Sequence, residues 1–400
     1  MHTGAIMFDY GNSIVGTDRT IVSIESAWAS IAGGTARRVT SVHELPSDVI
    51  WYTNLPYAIF DKAGLSKHAN FRNSDWMRSK FYNLVSELGV DVDNVSPQEA
   101  VSAIASIAAR VAVVAQDQYG VTIRDRKLNY DFATALGAPR SGMQDGFYPI
   151  ISPIAQHAQV NCIKNINFGQ NSPSITLRRN RLQHARELLE TPLPVDYDWE
   201  LESPVSLRKH GDNWLESVDT PFLVKCSVTN VIPLFAEILS WNSGTGTSKA
   251  PREWLTDLEW RVIRQYAEVA VSGALICKRP AERLSAYERL PNAHAAELST
   301  TYGLVAEQIW TAFTNPAPYR GGETRFTAAA AWLRAADRMR MFEYAQRVHS
   351  RGLDVQSYGV GQVVVRYPPS GALNRTLAIA ADCGLLAPVS KFAEGRKHAR

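Results

Sequence analysis

The chain has 400 residues and a formal net charge of +3, with 45% apolar and 20% charged residues. This composition excludes wholesale disorder, and the length exceeds that at which a single hydrophobic core usually stops growing, so we expect two lobes. Because the net charge is small, binding of a polyanion must come from local basic clusters rather than from the whole surface.

Several classes of protein and site find no support in the sequence. No run of residues approaches the 18 consecutive apolar positions of a simple membrane span, and Met1 to Gly4 begins no secretory signal pattern. The four cysteines are far apart without a CxxC pair, and the nine histidines show neither HxH nor HExxH spacing. We therefore expect no metal, no cofactor and no membrane partner.

The first half of the chain predicts short strands followed by helices. Short apolar runs separated by turn residues predict strands before position 50. Ser96 and Glu99 form a capping-box pattern, which predicts the start of a helix over 100–118. Further helices are expected over 73–88 and 177–190, and irregular structure over 137–177.

The second half of the chain predicts mostly helix. Proline-rich sequence near position 200 indicates a connector, and 242–248 indicates a flexible loop. Helices are expected over 251–277, 281–290, 293–313 and 320–351, with a closing strand over 362–367. The fold class is therefore predicted as mainly α, an α-rich α+β chain with two lobes. The lobes are placed at 1–200 and 241–400, joined by a connector over 201–240.

The predicted helix over 320–351 combines many arginines with two apolar faces. Seven of its residues are arginine, and Trp332 and Met339 lie on one side while Leu333 and Tyr344 lie roughly opposite. A helix that is apolar on two sides packs between other elements. We therefore predict that it serves assembly, through Arg334, Arg338, Arg340, Tyr344 and Arg347.

Two other basic clusters are better candidates for nucleic acid. Arginine donates two parallel hydrogen bonds to phosphate and stays charged, so clusters of it suit contacts that are independent of base sequence. The candidates are Arg178, Arg179, Arg181, His184 and Arg186 on one helix, and Lys391, Arg396, Lys397 and Arg400 in the tail. Internal salt bridges are the alternative for each cluster.

Two glycine-containing segments invite comparison with phosphate-binding turns. Phe8 to Ser13 resembles the first phosphate turn of the actin and sugar-kinase family, whose second turn has a counterpart only at Asp382 to Gly384. A plain hairpin is the favoured interpretation of this segment. Gly244 to Lys249 contains the residue types of a P-loop in the wrong order, so it is interpreted as a solvent loop.

Two functions from different classes follow. The first is a non-enzymatic, self-assembling structural protein: a viral capsid or nucleocapsid subunit, a large homo-oligomer that encloses or coats RNA in a virion or the host cytoplasm. The lack of recognisable catalytic motifs in the sequence favours this first function. The alternative is a soluble enzyme that processes nucleic acid or nucleotides, with its site between two lobes and Asp9 as its best anchor.

Overall fold

The structure is a computed structural model that describes residues 2–8, 27–53, 57–62, 64–73, parts of 96–109, 145–162, 173–194, 198–210, 214–232, 253–283, 310–367 apart from 312 and 319, and 372–386. The chain forms two compact units. Unit 1 comprises 1–135, 291–308 and 389–400, and unit 2 comprises 136–290 and 309–388. The predicted lobes at 1–200 and 241–400 stay a prediction.

Seven α-helices and fifteen strands have both ends within the described residues. The helices are α1 (Tyr57–Lys62), α2 (Tyr148–Gln156), α3 (Arg181–Leu189), α4 (Pro204–His210), α5 (Asp257–Ile263), α6 (Ala328–Ser350) and α7 (Leu373–Asp382). The strands are β1 (His2–Phe8), β2 (Ala27–Ile31), β3 (Arg37–Val39), β4 (Val49–Thr53), β5 (Phe71–Asn73), β6 (Val160–Asn161), β7 (Ser174–Arg178), β8 (Trp199–Glu202), β9 (Phe222–Thr229), β10 (Trp254–Thr256), β11 (Glu268–Cys277), β12 (Ala317–Pro318), β13 (Thr324–Arg325), β14 (Asp354–Gly359) and β15 (Gln362–Arg366).

Unit 1 contains a mixed five-stranded sheet in the order β3-β2-β1-β4-β5. Strand β1 pairs antiparallel with β2 and parallel with β4, which pairs parallel with β5. All five residues of β4 are buried, including Trp51 and Tyr52. In the same unit, Glu99 accepts the backbone N–H of Ser96 at 2.9 Å, so the predicted capping box is present.

Unit 2 contains two antiparallel four-stranded sheets and the long helix α6. The sheets have the orders β10-β9-β11-β8 and β6-β14-β15-β7. Helix α6 contacts α2, α5 and β14. Phe222, Trp260, Phe342 and Tyr358 belong to one hydrophobic core cluster. The burial of their aromatic rings removes a large apolar area from water, which stabilises this unit.

Helix α6 is buried on both of the sides that the sequence predicts. Trp332 and Met339 on one side, and Leu333 and Tyr344 on the other, are all at most 9% exposed. The helix begins at Ala328, eight residues later than predicted, because Gly321 and Gly322 have positive φ angles and residues 324–325 form strand β13. Thr327 caps it by accepting the backbone N–H of Ala330 at 3.0 Å.

The predicted fold class, mainly α with a helical C-terminal lobe, is wrong. The described residues are 40% helical and 31% strand, with three multi-strand sheets, so the fold is α+β. The predicted helix over 251–277 is instead helix α5 followed by strand β11, in which Glu268, Ala270 and Ser272 point to one exposed face. Alternation with a period of two is typical of a strand, and the alanines and valines concealed it.

A second difference concerns the start of the predicted helix over 177–190. Residues up to Arg178 belong to β7, which pairs with β15, and the helix begins at Arg181. The side chain of Asn180 caps α3 by accepting the backbone N–H of Gln183 at 3.1 Å. The loop 242–248 and most of the predicted helices over 73–88, 281–290 and 293–313 lie outside the described residues.

Candidate functional site

A strained two-residue turn joins β14 to β15. Gly359 pairs with Gln362, so the turn consists of Val360 and Gly361, whose φ angles are 55° and 66°. Two positive φ angles suit a tight antiparallel hairpin, but the first position normally holds Asn, Asp or Gly. A β-branched residue in the left-handed region is a genuine outlier, and the side chain of Val360 is 38% exposed.

The buried carboxylate of Asp337 holds this turn from helix α6. It accepts the backbone N–H of Val360 on one oxygen and that of Gly361 at 2.9 Å on the other. Its Oδ1 also lies 2.8 Å from Nε2 of His184 on α3. Since Asp337 is fully buried, these contacts replace the water that its charge has lost on folding.

The residues flanking Val360 fit closely against their neighbours. A Cβ atom on Gly359 would lie 2.4 Å from the carbonyl oxygen of Ala158, and one on Gly361 would lie 3.0 Å from the His184 ring. Side chains at either glycine would therefore displace the turn. The surroundings thus fix Val360 in a conformation that it would not adopt alone.

Helix α3 adds an ion-pair cluster beside His184. Arg179 donates to both carboxylate oxygens of Glu187, one of these bonds being 2.7 Å long, and Nε of Arg340 lies 3.2 Å from the same carboxylate. Burial alone would raise the pKa of Glu187, but the bonds and charge of Arg179 lower it. The Arg179 guanidinium also lies 4.6 Å from the ring centroid of Tyr344.

Arg338 forms a fully buried ion pair with Glu259 of α5. Its Nε and Nη2 lie 2.9 Å and 2.6 Å from the same oxygen of Glu259, and its Nη1 donates to the carbonyl oxygens of Ile154 and His157. The other oxygen of Glu259 accepts the N–H of Thr256 at 3.0 Å. This pair connects α6 with α2 and α5, and it engages four of the five N–H donors of the fully buried Arg338 inside the unit.

Arg334 differs from the other arginines of α6. Its half-buried guanidinium lies 5.0 Å from the ring centroid of Trp310, and it makes no ion pair or hydrogen bond with any residue that the structure describes. Burial lowers the pKa of Arg334, an effect that nearby Asp337 opposes and Arg338 reinforces. Asp337 is thus the acid that acts on its charge, but Arg334 has no ion-pair partner within the described part of the chain.

Asp257, the first residue of α5, has an unusual acidity. Its Oδ1 accepts the indole N–H of Trp332 at 2.7 Å. Burial raises the pKa of Asp257 from 3.8 to about 6, although the bond from Trp332 and the charge of Arg261 act in the opposite direction. A carboxyl group with such a pKa can exchange a proton near neutral pH.

The basic residues predicted to contact nucleic acid lie in different surroundings. The backbone of Arg178 pairs with Leu386, Arg179 is 4% exposed and bound to Glu187, and His184 contacts Asp337. Arg186 is half-buried, and Arg181 begins helix α3. Lys391, Arg396, Lys397 and Arg400 lie outside the described residues. A nucleic-acid contact by this set stays a prediction.

The residues predicted to serve assembly all lie within unit 2. Arg338 is bound inside the unit, and Arg340 contacts Glu187 and Glu343. The guanidinium groups of Arg179 and Arg347 lie 4.6 Å and 4.9 Å from the ring centroid of Tyr344. Their role in contacts between copies stays a prediction.

Sequence reasoning missed Val360, Asp337 and Trp310. The segment Gly359-Val360-Gly361 between two apolar runs was an available hairpin signal. The proposed anchor Asp9 lies outside the described residues, and its suggested counterpart Asp382 pairs with Arg351 at 3.1 Å. Within the described segments, no group of three His, Cys, Asp or Glu residues could hold a metal, and no helix is long and apolar enough to cross a membrane.

Comparison with known proteins gives matches to solved structures alone. No protein-family model and no curated protein sequence matches the chain. Phi29 DNA polymerase complexed with single-stranded DNA is 9% identical, with a TM-score of 0.49, over 93% of this chain and 82% of the polymerase. Its ternary complex with primer-template DNA and incoming nucleotides is 10% identical, with a TM-score of 0.47 and the same coverage.

A solved structure with a lower TM-score is also a DNA polymerase. The family B DNA polymerase from the hyperthermophilic archaeon Pyrobaculum calidifontis is 9% identical, with a TM-score of 0.30, over 95% of this chain and 55% of that polymerase. At this level of identity, and with TM-scores below 0.5, the likeness assigns no residue and no activity to this chain.

These matches nevertheless correct four expectations. The structures described above are DNA polymerases, not coat proteins, so the predicted capsid or nucleocapsid subunit is wrong, as is the prediction that the chain is not an enzyme. The capsid, nucleocapsid and self-assembly descriptions are wrong as well, and the matches support neither the large homo-oligomer nor the RNA partner. The sequence was misleading because arginine-rich, motif-poor chains are not specific to coat proteins.

Proposed function

We propose that the chain is a nucleic-acid-processing enzyme whose active centre surrounds the Val360 turn in unit 2. The observation that carries this proposal is the strained, exposed Val360 in a turn held by a fully buried carboxylate. Backbone strain of about 1–3 kcal/mol persists only where the surroundings impose it, and such positions cluster at active sites.

The charges around the turn support an anionic substrate. On α6, Arg334 lies about one turn before Asp337 and forms no ion pair with the residues described. A phosphate group of a substrate complements such a cation. Arginine stacked on an aromatic ring, as Arg334 is on Trp310, is also a common feature of surfaces that bind single strands.

The rigid turn distinguishes an active centre from a surface that only binds nucleic acid. A binding surface for phosphate needs only exposed cations, whereas a strained turn fixed from three sides presents its backbone and side chain in one geometry. Such preorganisation helps to place a reacting group. The predicted location, a virion or the host cytoplasm, stays a prediction.

The test is an activity measurement on the full chain. Labelled single-stranded DNA, primer-template DNA and RNA would be incubated with the protein, nucleotides and Mg²⁺, and products separated by electrophoresis. Binding would be followed by fluorescence anisotropy at several salt concentrations. We expect extension or cleavage of at least one substrate, and binding that weakens as salt rises. A protein that neither binds nor changes any of them contradicts the proposal.

A further inference from the structure

Two neighbouring side chains in unit 2 have buried N–H donors without an acceptor. These are Nε of Arg334 and the indole Nε1 of Trp310, and neither has a hydrogen-bond partner in the described structure. More than nine-tenths of buried polar groups in proteins are satisfied, so an orphaned donor calls for an explanation such as a bound ion. Because the two residues are in contact, one acceptor could serve both donors.

The contact between these residues places both donors in the same region. The guanidinium carbon of Arg334 lies 5.0 Å from the centroid of the Trp310 ring, a distance at which the cation is attracted to the ring. This contact gives neither N–H group an acceptor. The face of the indole ring has no lone pair for Nε–H of Arg334, and the guanidinium has none for the indole N–H. An acceptor from outside the described chain would satisfy both.

The charge of the site determines what kind of acceptor fits. Buried Arg338 has its own carboxylate in Glu259, and exposed Arg351 has Asp382, whereas Arg334 has none in the described chain. A neutral acceptor would satisfy the N–H groups but leave this half-buried charge with Asp337 alone, whose oxygens are bound to the Val360 turn and His184. A negatively charged oxygen satisfies both requirements.

We infer that Arg334 and Trp310 form an anion site that binds a phosphate group of a nucleotide or of a nucleic-acid strand. The choice of phosphate rests on the proposed function, while the anion site itself rests on the two orphaned donors. The guanidinium supplies charge and further donors, and the indole N–H fixes the position of one oxygen. Arg334 precedes Asp337 by about one helical turn, so the anion site lies on the helix whose Asp337 holds the Val360 turn.

Calorimetric titration of the full chain in buffer without phosphate or sulfate tests the site. The probes are inorganic phosphate, deoxyadenosine monophosphate, deoxyadenosine, and a short single-stranded oligonucleotide. We expect phosphate and the monophosphate to bind, and deoxyadenosine to give no heat. A strand that competes with inorganic phosphate identifies strand phosphate as the source, whereas competition by the monophosphate alone identifies a free nucleotide.

Conservative variants separate the two donors. Trp310→Phe keeps an aromatic ring under the guanidinium but removes the N–H, and it should weaken phosphate binding by about tenfold. Arg334→Lys keeps the charge without Nε–H, and Arg334→Gln removes the charge and should abolish binding. Arg351→Gln, at the C-cap of the same helix, is the matched control and should bind as the unaltered chain does.

The outcomes distinguish this inference from the proposed function. Equal phosphate affinity in the unaltered chain and in both Arg334→Gln and Trp310→Phe overturns the site, even if the protein processes nucleic acid. The absence of phosphate binding by the unaltered chain overturns it as well. Phosphate binding that depends on both residues, in a protein with no activity on nucleic acid, supports the site and contradicts the proposed function.

Discussion

His184 and Asp337 meet at 2.8 Å between Nε2 and Oδ1, although 153 residues separate them along the chain. The same Asp337 oxygen accepts the N–H of Gly361 at 2.9 Å. One buried carboxylate therefore connects α3, α6 and the β14–β15 turn. This relationship makes Asp337 the residue on which the geometry of the candidate site depends.

Replacing Asp337 by asparagine should therefore affect both stability and activity. The amide has one acceptor oxygen, so at least one N–H of the turn loses its partner, at a cost of about 1–3 kcal/mol in the free energy of unfolding. We expect Asp337→Asn to lower this free energy, measured by urea denaturation, and to reduce activity. Asp382→Asn, at an exposed pair with Arg351, is the control. An unaltered stability of Asp337→Asn would contradict the role assigned to this carboxylate.

Relief of the strain at Val360 should stabilise the protein and impair it. Asparagine tolerates a positive φ angle, so Val360→Asn should raise the free energy of unfolding by about 1 kcal/mol while activity and nucleic-acid binding fall. Opposite effects on stability and activity are typical of backbone strain at a functional site.

A matched variant at another exposed β-branched residue controls for the change of side chain. Ile232 is 45% exposed, and its φ angle is not positive, so Ile232→Asn should leave stability and activity nearly unchanged. If Val360→Asn gained stability with full activity, the turn would be an ordinary hairpin rather than part of an active centre.

Loss of the buried ion pair should be far more damaging than loss of an exposed one. Arg338→Met leaves Glu259 buried without its cation, and we expect the free energy of unfolding to fall by about 3–5 kcal/mol. Arg264→Met removes an exposed pair with Glu216 and should lower it by less than about 1 kcal/mol. Comparable losses in the two urea titrations would show that the Arg338 pair does not connect the helices as described.

The raised pKa of Asp257 predicts how stability depends on pH. The folded state holds its proton up to about pH 6, whereas the unfolded chain releases it near 3.8, so this group destabilises the fold as pH rises through that window. Asp257→Asn keeps an acceptor for the indole N–H of Trp332. The variant should match the unaltered chain at pH 4 and exceed it in stability at pH 7. Parallel stability profiles for the two proteins would contradict the raised pKa.

The sequence predicted features whose causes are local. The capping box of Ser96 and Glu99 depends on residues three positions apart, and the double burial of α6 follows from the spacing of its apolar residues. Strand β11 was missed because alanine and valine at alternate positions suit a buried helix as well as a strand. Its antiparallel partner β9 decides between the two, and that pairing is not local.

The candidate site was harder to predict because its contacts join distant segments. Asp337 looked like one of three acids on a basic helix, and only its approach to the Val360 turn and His184 gives it a role. In the same way, the sequence placed Arg334 among seven similar arginines of the predicted helix. Its distinctive property, a charge without an acidic partner in the described chain, depends on where acids elsewhere in the fold lie.

The central claim, that the chain processes nucleic acid at the Val360 turn, is tested most directly by one assay. The unaltered chain and Val360→Asn would be incubated with end-labelled primer-template DNA, single-stranded DNA and RNA in the presence of nucleotides and Mg²⁺. We predict labelled products of changed length from the unaltered chain, and fewer such products from the more stable variant Val360→Asn. Substrates that keep their length with the unaltered chain, or equal product from both proteins, would contradict the claim.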